Sequence, residues 1–494
     1  MNSEFLTYNA LDSACTIECH NAFWMDLEPH GFLPAYKITI DLLEPLMFMQ
    51  TRGIRVSYPE LEVTKADVLR SASEKQEELN KLCSRELNVN SSKDCQTYFY
   101  VELGLSPYYN EGKVTVDDTA LQRLTRGTAK RPGLRQAKLV QEIRGLQKLH
   151  STYLSMEFDP DGRFRSSYNP RGTKFGRLSS SKTIFGTGGN AQNLDPVFKK
   201  FLIPDDGYIF WEIDKSQAEW VVVAYLCGDA NMIKVIEEGK DTHIHTASLM
   251  FNAPPEILEL EDKLVGHNTD PDTIANIRAS HELIERYAGA LPRTMSGRQC
   301  GKKSNHGLNY DEGYVKFALI NEMEQTEAKR IVSMYHLIYP GIGVWYESIK
   351  KQLQRDRSLT NCFGRKVRFL DAWGPDLWRA AYSMLPQSSV VDSLNQGMVK
   401  TYNDESLTGV QGYDIDLLAQ VHDSILLQVP IDVMKSKDFP EIQRKVYDYV
   451  SPELNYNGRR FKIATDSKIG LNWGGVNKDL NPMGMRELKS ASDL

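Results

Sequence analysis

The chain has 494 residues, 41% of them hydrophobic and 25% charged, with 59 Lys and Arg against 65 Asp and Glu and a net charge of −6. This ordinary globular composition excludes intrinsic disorder, a collagen repeat and a small disulfide-knotted scaffold, and the length suits roughly two to four domains. Bulk charge does not mark a nucleic-acid binder, so the distribution of charge has to decide.

Seven cysteines (Cys15, Cys19, Cys83, Cys95, Cys227, Cys300 and Cys362) are scattered without a C-x-x-C pair. That pattern fits neither a zinc ribbon nor a disulfide framework, and the expectation is a reducing, cytoplasmic setting. The first residues lack the basic and apolar regions of a secretory signal. The apolar run Trp220–Cys227 is too short to span a bilayer, so no membrane is expected.

In chain order, Ile38 to Met49 is predicted as a helix stopped at Thr51-Arg52-Gly53, and Ile54 to Val56 as a short strand. A long amphipathic helix is expected over Tyr58 to Leu87, with Leu61, Ala66, Leu69, Leu79 and Leu82 near helical spacing. Asn90 to Asn110 reads as turn, helix and turn. Residues 120–182 carry 14 Lys and Arg against 4 Asp and Glu, a candidate phosphate-facing surface as well as a solvated helical face. Ser, Thr, Tyr and Asn interleaved from Ser151 to Asn193 favour nucleic-acid contact. Ile209 to Ile213 is a strand ending at Asp214, followed by a helix over Ser216 to Leu226. Residues 254–356 are helix-rich. Leu417 to Val429 is a tight hairpin with His422 and Asp423 between its strands, and the tail from Asn472 is expected to be irregular.

Three constellations could carry chemistry. Asp214 and Asp423 each follow a hydrophobic strand, roughly two hundred residues apart, so only the fold can join them. Brought close, they repel unless a cation neutralises them, and two hard divalent cations on two carboxylates is an arrangement for in-line phosphoryl transfer. Taken singly, each is equally a turn or cap residue. Arg298, Lys302, His306 and Tyr310 recur every four residues on one helical stripe, two cations followed by two rings. The cations can hold a triphosphate and the rings can stack on a base or sugar, or the stripe is a solvated basic face. Gly297, Gly301 and Gly307 would let another chain or a base pair approach. Arg379, Ser383 and Gln387 form a second stripe of donors, with Pro386 expected to kink or end that helix.

The order and spacing of these segments resemble family A DNA polymerases, of the bacterial polymerase I and bacteriophage type. The segments are GRLSSS and NAQNLDP between Gly176 and Pro196, IDKSQAEWVVVAYLCGD from Ile213, RQCGKKSNHGLNY from Arg298 and QVHDS from Gln420. NVNSSKDCQTYFYVELG from Asn88 and QKLHSTY from Gln147 are similar to the family's thumb. The resemblance implies an α+β right-hand polymerase with a helical thumb, an antiparallel-sheet palm and helical fingers. It implies an exonuclease remnant over 1–30, a thumb with palm-proximal segments over 31–165, palm over 166–231 and 375–494, and fingers over 232–374.

The resemblance also implies roles. Asp214 and Asp423 would hold two Mg2+ ions, with Mn2+ able to substitute. Arg298 and Lys302 would bind the phosphates of a dNTP, and Lys302 would protonate the leaving pyrophosphate. Tyr310 would pack near the template base, and Glu219 would occlude a ribose 2′-OH. Gln217, His243 and His306 fall near the nucleotide. Arg177, Gln192, Asn193, Arg379, Gln387 and His422 would contact primer-template DNA. The metal reading of His243-Ile244-His245 is weaker than the family match.

Several positions depart from the family pattern. His306 stands where Phe or Tyr is usual, Ser424 where a Glu follows the second aspartate, and Ser383 where Asn is usual; Lys215 and Trp220 are also unusual. His306 leads to an expected pH-dependent nucleotide affinity. At the N-terminus, TYNALDSACT from Thr7 resembles the last motif of the proofreading exonuclease, with Tyr8 and Asp12 in its two key positions. One carboxylate cannot hold two metals, so proofreading is not expected of this chain alone. A separate 3′–5′ exonuclease chain is the expected partner, unless the chain is truncated. Cys15 to His20 is expected to pack rather than bind metal. The rival functions are a single-subunit RNA polymerase and a non-catalytic primer-template-binding subunit. A bacteriophage source is the expected context.

Overall fold

The computed structural model describes residues 3–110, 112–126, 132–266, 268, 270–321, 323–409 and 411–488. The helices used below are α1 (Ser3–Leu27), α2 (Tyr58–Cys83), α3 (Arg135–Lys148), α4 (Ala218–Cys227), α5 (Thr242–Phe251), α6 (Gly297–Gly307), α7 (Pro375–Asn403) and α8 (Phe439–Val450). The main sheet contains β1 (Tyr208–Lys215), β2 (Asp416–Val421), β3 (Ser424–Pro430), β4 (Thr465–Gly470) and β5 (Arg486–Glu487). Its spatial order is β2-β3-β1-β4-β5, with every pairing antiparallel. β1 lies at the centre and brings the middle of the chain against its last quarter.

Three hydrophobic cores divide the described residues. One joins the sheet to Leu42–Val68, Leu154–Phe201, the C-terminal half of α7 and α8. The second collects the helices from α4 to the first half of α7. The third lies between α2 and α3, from Leu79 to Ile143. Alternation along β1 sends Trp211, Ile213 and Lys215 to the back of the sheet and Glu212 and Asp214 to the front. On the back, Trp211 meets Phe439 of α8 edge to face, at 5.2 Å between ring centroids.

Several expected elements are adjusted. The first helix is two, Leu33–Asp41 and Leu43–Arg52, stopped by Gly53 at a φ of 63°. α2 ends at Cys83 because Ser84 turns left-handed, and it buries Leu61, Val68 and Leu79 while Leu69 and Leu82 stay exposed. Asp214 lies inside its strand, not after it. Pro386 does not end its helix. α7 runs 29 residues through it, because Leu385, Pro386, Ser388 and Ser389 are all buried and packing outweighs the lost amide donor. Cys15 and Cys19 are exposed rather than packed. The tail supplies β5 and the buried Trp473.

The basic window is not one open face. Arg135 pairs with Glu78, Arg163 with Asp205, Arg165 with Asp159 and Asp161, and Lys174 with Asp371. Arg144 bonds the carbonyls of Val89 and Val116. These cations tie segments of the chain together; Lys130 and Arg131 lie outside the described residues.

Candidate active site

Asp214 and Asp423 meet at one end of the sheet. Asp214 on β1 faces Ser424 across the β3 ladder, and Asp423 is the residue before Ser424. The Lys215 amide donates to the Asp423 carbonyl at 3.3 Å. The turn joining β2 to β3 is two residues, His422 and Asp423, since Val421 pairs directly with Ser424. His422 has a φ of 52°, a region costly for a residue with a side chain. Its amide donates to Gln192 Oε1 at 2.9 Å, and its carbonyl accepts from Gln420 Nε2 at 2.6 Å. Gln192 Nε2 also bonds the Gln420 carbonyl at 2.8 Å. Gln192 and Gln420 thus fix the turn that presents Asp423.

Negative charge accumulates here. Burial pushes the Asp214 carboxyl up to about 7, aided by Asp423, Glu212 and Asp466 and opposed by Lys468. Burial also raises Asp423, with Glu219 adding to it. Oxygen donors from two elements with surplus negative charge fit hard divalent cations. Behind the sheet the Lys215 ammonium donates to Ser393 Oγ at 2.9 Å, and burial lowers its pKa to about 7.

The stripe on α6 faces this end. Ser296 caps the helix through the Gln299 amide. Arg298 directs Nε and Nη2 at Asp241 Oδ2, at 3.0 and 2.8 Å, while Asp241 Oδ1 caps α5 through the amides of His243 and Ile244. Lys302 and His306 are solvent-exposed. Partial dehydration in the cleft holds the His306 pKa below its usual value, against the pull of Glu219 and Asp423. His243 is buried 6.0 Å from the His306 ring, and burial lowers its pKa to about 4, so it is neutral at pH 7. Its Nδ1 contacts Asn305 Nδ2 at 3.1 Å. No group of three metal-ligating side chains includes His243 and His245 among the described residues. Gly301 serves packing between helices: an added Cβ would lie 2.2 Å from the His243 carbonyl oxygen. Glu219, in the first turn of α4, bridges Arg177 and the Tyr310 hydroxyl. Gln217 has a φ of 51° and accepts from the Thr242 hydroxyl, tying β1 to α5.

The sequence profile described as DNA polymerase family A matches residues 59–263 and 282–475, which include every residue of this site. The chain belongs to DNA polymerase family A. It is 27% identical over 409 residues to the thermostable DNA polymerase I of Thermus filiformis, covering 78% of this chain and 42% of that protein. It is 26% identical over 433 residues to that of Thermus aquaticus, covering 82% and 45%, and 26% over 494 residues to DNA polymerase I of Rhizobium leguminosarum, covering 94% and 43%. The chain thus spans less than half the length of these curated relatives. Among solved structures, the POL domain of Pol1 from M. smegmatis, in complex with DNA primer-template and dNTP, superposes with a TM-score of 0.69 at 21% identity. That match covers 88% of this chain and 70% of that one. The fold is the α+β right-hand polymerase fold.

The other residues singled out in the sequence are spread over several elements. Arg177 stands between the sheet end and Glu219, with its Nε buried and without a hydrogen-bond partner. Asn193 is exposed, and its carbonyl accepts from Tyr153 at 2.7 Å. Arg379, Ser383 and Gln387 form a half-exposed stripe of α7; Arg379 pairs with Asp376 at 2.6 Å. His422 is exposed beside Asp423. Sequence reasoning missed Asp241 and Glu212. A carboxylate two positions before Asp214 was available from strand alternation, whereas Asp241 reaches Arg298 only through the fold.

Proposed function

We propose that this chain is a template-directed DNA polymerase that extends a primer 3′ end with dNTPs, using divalent cations held by Asp214 and Asp423. The observation that carries the reading is their convergence at one sheet end opposite Arg298, Lys302 and His306. Two cations bound there would activate the primer 3′-oxygen and neutralise charge on the transferring phosphates; Mg2+ is the expected ion, with Mn2+ a substitute.

The chain's own groups supply the rest. Arg298, braced by Asp241, offers a planar donor fork to phosphate oxygens. The exposed Lys302 ammonium binds phosphate and can donate a proton to the pyrophosphate oxygen as it leaves. Glu219, pinned by Arg177 and Tyr310, occludes a ribose 2′-OH, which favours DNA over RNA synthesis. Tyr310 packs near the template base, and Gln217 and His243 brace the nucleotide side. Arg177, Gln192, Asn193, Arg379, Gln387 and His422 line the primer-template path.

In this reading the core between α2 and α3 is the thumb tip, within 31–165. The sheet core is the palm, over 166–231 and 375–494, and the helical core is the fingers, over 232–374; residues 1–30 are the exonuclease remnant. Asp12 stands on an exposed helix. The resemblance points to a separate 3′–5′ exonuclease chain, testable by pull-down, and to a bacteriophage setting. No helix of the described residues is long and apolar enough to cross a membrane.

The test is primer extension on a recessed primer-template with Mg2+, with dNTPs and rNTPs offered separately. The reading expects extension with dNTPs only, abolished by Asp214→Ala. Extension with rNTPs alone would move the assignment to RNA synthesis, and DNA binding without synthesis would move it to a non-catalytic subunit.

A further inference from the structure

The sheet end that carries Asp214 holds more acid than two aspartates. Glu212 shares the front face of β1 with Asp214, two residues away. Its Oε1 accepts from the Trp473 indole N–H at 3.1 Å; Ser424 Oγ is a longer contact at 3.4 Å, and its hydroxyl has a nearer acceptor in the Val421 carbonyl at 3.1 Å. Ser424 sits directly across from Asp214 and next to Asp423 in sequence. The carboxylate of Glu212 therefore lies beside the position that follows the second aspartate. Trp473, the donor, is buried and fixed in place, with Lys199 Nζ 4.5 Å from its ring centroid. Lys468 is the cross-strand neighbour of Glu212 on β4. Among the described residues, neither lysine comes within ion-pair distance of the Glu212 carboxylate.

The Trp473 indole thus orients a carboxylate that forms no ion pair among the described residues, although Lys199 acts on it from a distance, beside two aspartates that already repel.

Resting on the polymerase reading above, we infer that Glu212 is a positioning residue of the divalent-cation site. It adds negative charge beside Asp214 and Asp423 from the neighbouring strand position, and the indole of Trp473 orients it. Groups of this kind set how tightly the ligands hold a metal.

The test is Mn2+ binding followed by electron paramagnetic resonance. It uses the full chain with a dideoxy-terminated primer-template and the next dNTP, so that no turnover occurs. Glu212→Gln keeps an oxygen acceptor for Trp473 and Ser424 but removes the charge. It is expected to weaken Mn2+ binding about 10-fold, with an unchanged Tm. Adding Ser424→Glu to that variant returns a carboxylate to the same place and is expected to recover most of the loss. Wild-type Mn2+ affinity in Glu212→Gln would overturn the inference. So would a loss that comes with a fall in Tm and is not recovered by Ser424→Glu, because the role would then be structural. Asp214→Asn is the control: if it too binds Mn2+ as the wild type does, the failure belongs to the cation site itself and not to Glu212.

Discussion

Two sets of acids in this molecule, one buried and one half-buried, are treated in opposite ways. Asp392, inside α7, is fully buried; it receives Nε and Nη2 of Arg365 at 2.7–3.0 Å and Asn361 Nδ2 at 2.7 Å. Glu261 is likewise closed by Arg278 and by the Gly297 amide. Asp214 and Asp423 have no such guanidinium. They face Glu212, Asp466 and Glu219; Lys468 acts on Asp214 and Arg177 on Asp423, but among the described residues neither is ion-paired to them, and Lys215 is turned to the back of the sheet. The acids of the helical core are neutralised within the chain, whereas the pair proposed to hold cations is not ion-paired among the described residues.

The sharpest way to break this contrast is to remove charge on each side. Asp214→Asn or Asp423→Asn should lower single-turnover primer extension by ~10³-fold or more, the scale of charge-stabilising groups in phosphoryl transfer. Asp392→Asn should instead leave Arg365 buried and unpaired, costing ~3–5 kcal/mol of stability in urea unfolding.

Lys215 refines the comparison, because it is a buried cation with hydroxyl and carbonyl partners. A lysine whose folded pKa lies near 7 and whose unfolded pKa is about 10.5 destabilises the fold fully below pH 7. That cost fades as pH rises from 7 toward 10.5. Lys215→Met should therefore raise stability by about 1–3 kcal/mol at pH 6, and the gap from wild type should close by pH 10, read from unfolding at both pH values.

On the nucleotide side the effects are smaller. Arg298→Ala should raise the dNTP concentration for half-maximal extension by about 10-fold, the worth of one charge-assisted bond. His306, with its pKa held below 6.5, gains a proton as pH falls through the acid side of neutrality, adding a cation beside the triphosphate. The rise in nucleotide affinity from this proton should be small, about 3-fold, and confined to pH below 6.5, as expected for a screened, exposed pair. His306→Phe should flatten that profile.

Much of this was legible in the chain. The hairpin around His422 and Asp423, the strand before Asp214 and the stripe from Arg298 to Tyr310 all show local periodicity, and local periodicity is what a sequence displays. Contacts to backbone are silent in sequence. Nothing in the residues announces that the Gln192 amide holds the His422 turn, or that the window around Arg163 and Arg165 is consumed by Asp205, Asp159 and Asp161. Pro386 misled for a related reason. Its local preference is to break a helix, and only the buried surroundings of α7 reverse it. Glu212 was hidden by a strand that reads as apolar, although its alternation with Asp214 was there to be read.

The most direct test of the contrast is thermal unfolding in EDTA of the wild type, Asp214→Asn and Asp392→Asn, each paired with a primer-extension assay in Mg2+. The account predicts that Asp214→Asn melts at or above the wild-type temperature while synthesis is lost, and that Asp392→Asn melts well below it. A fall in the melting temperature of Asp214→Asn matching that of Asp392→Asn, with synthesis retained, would contradict it.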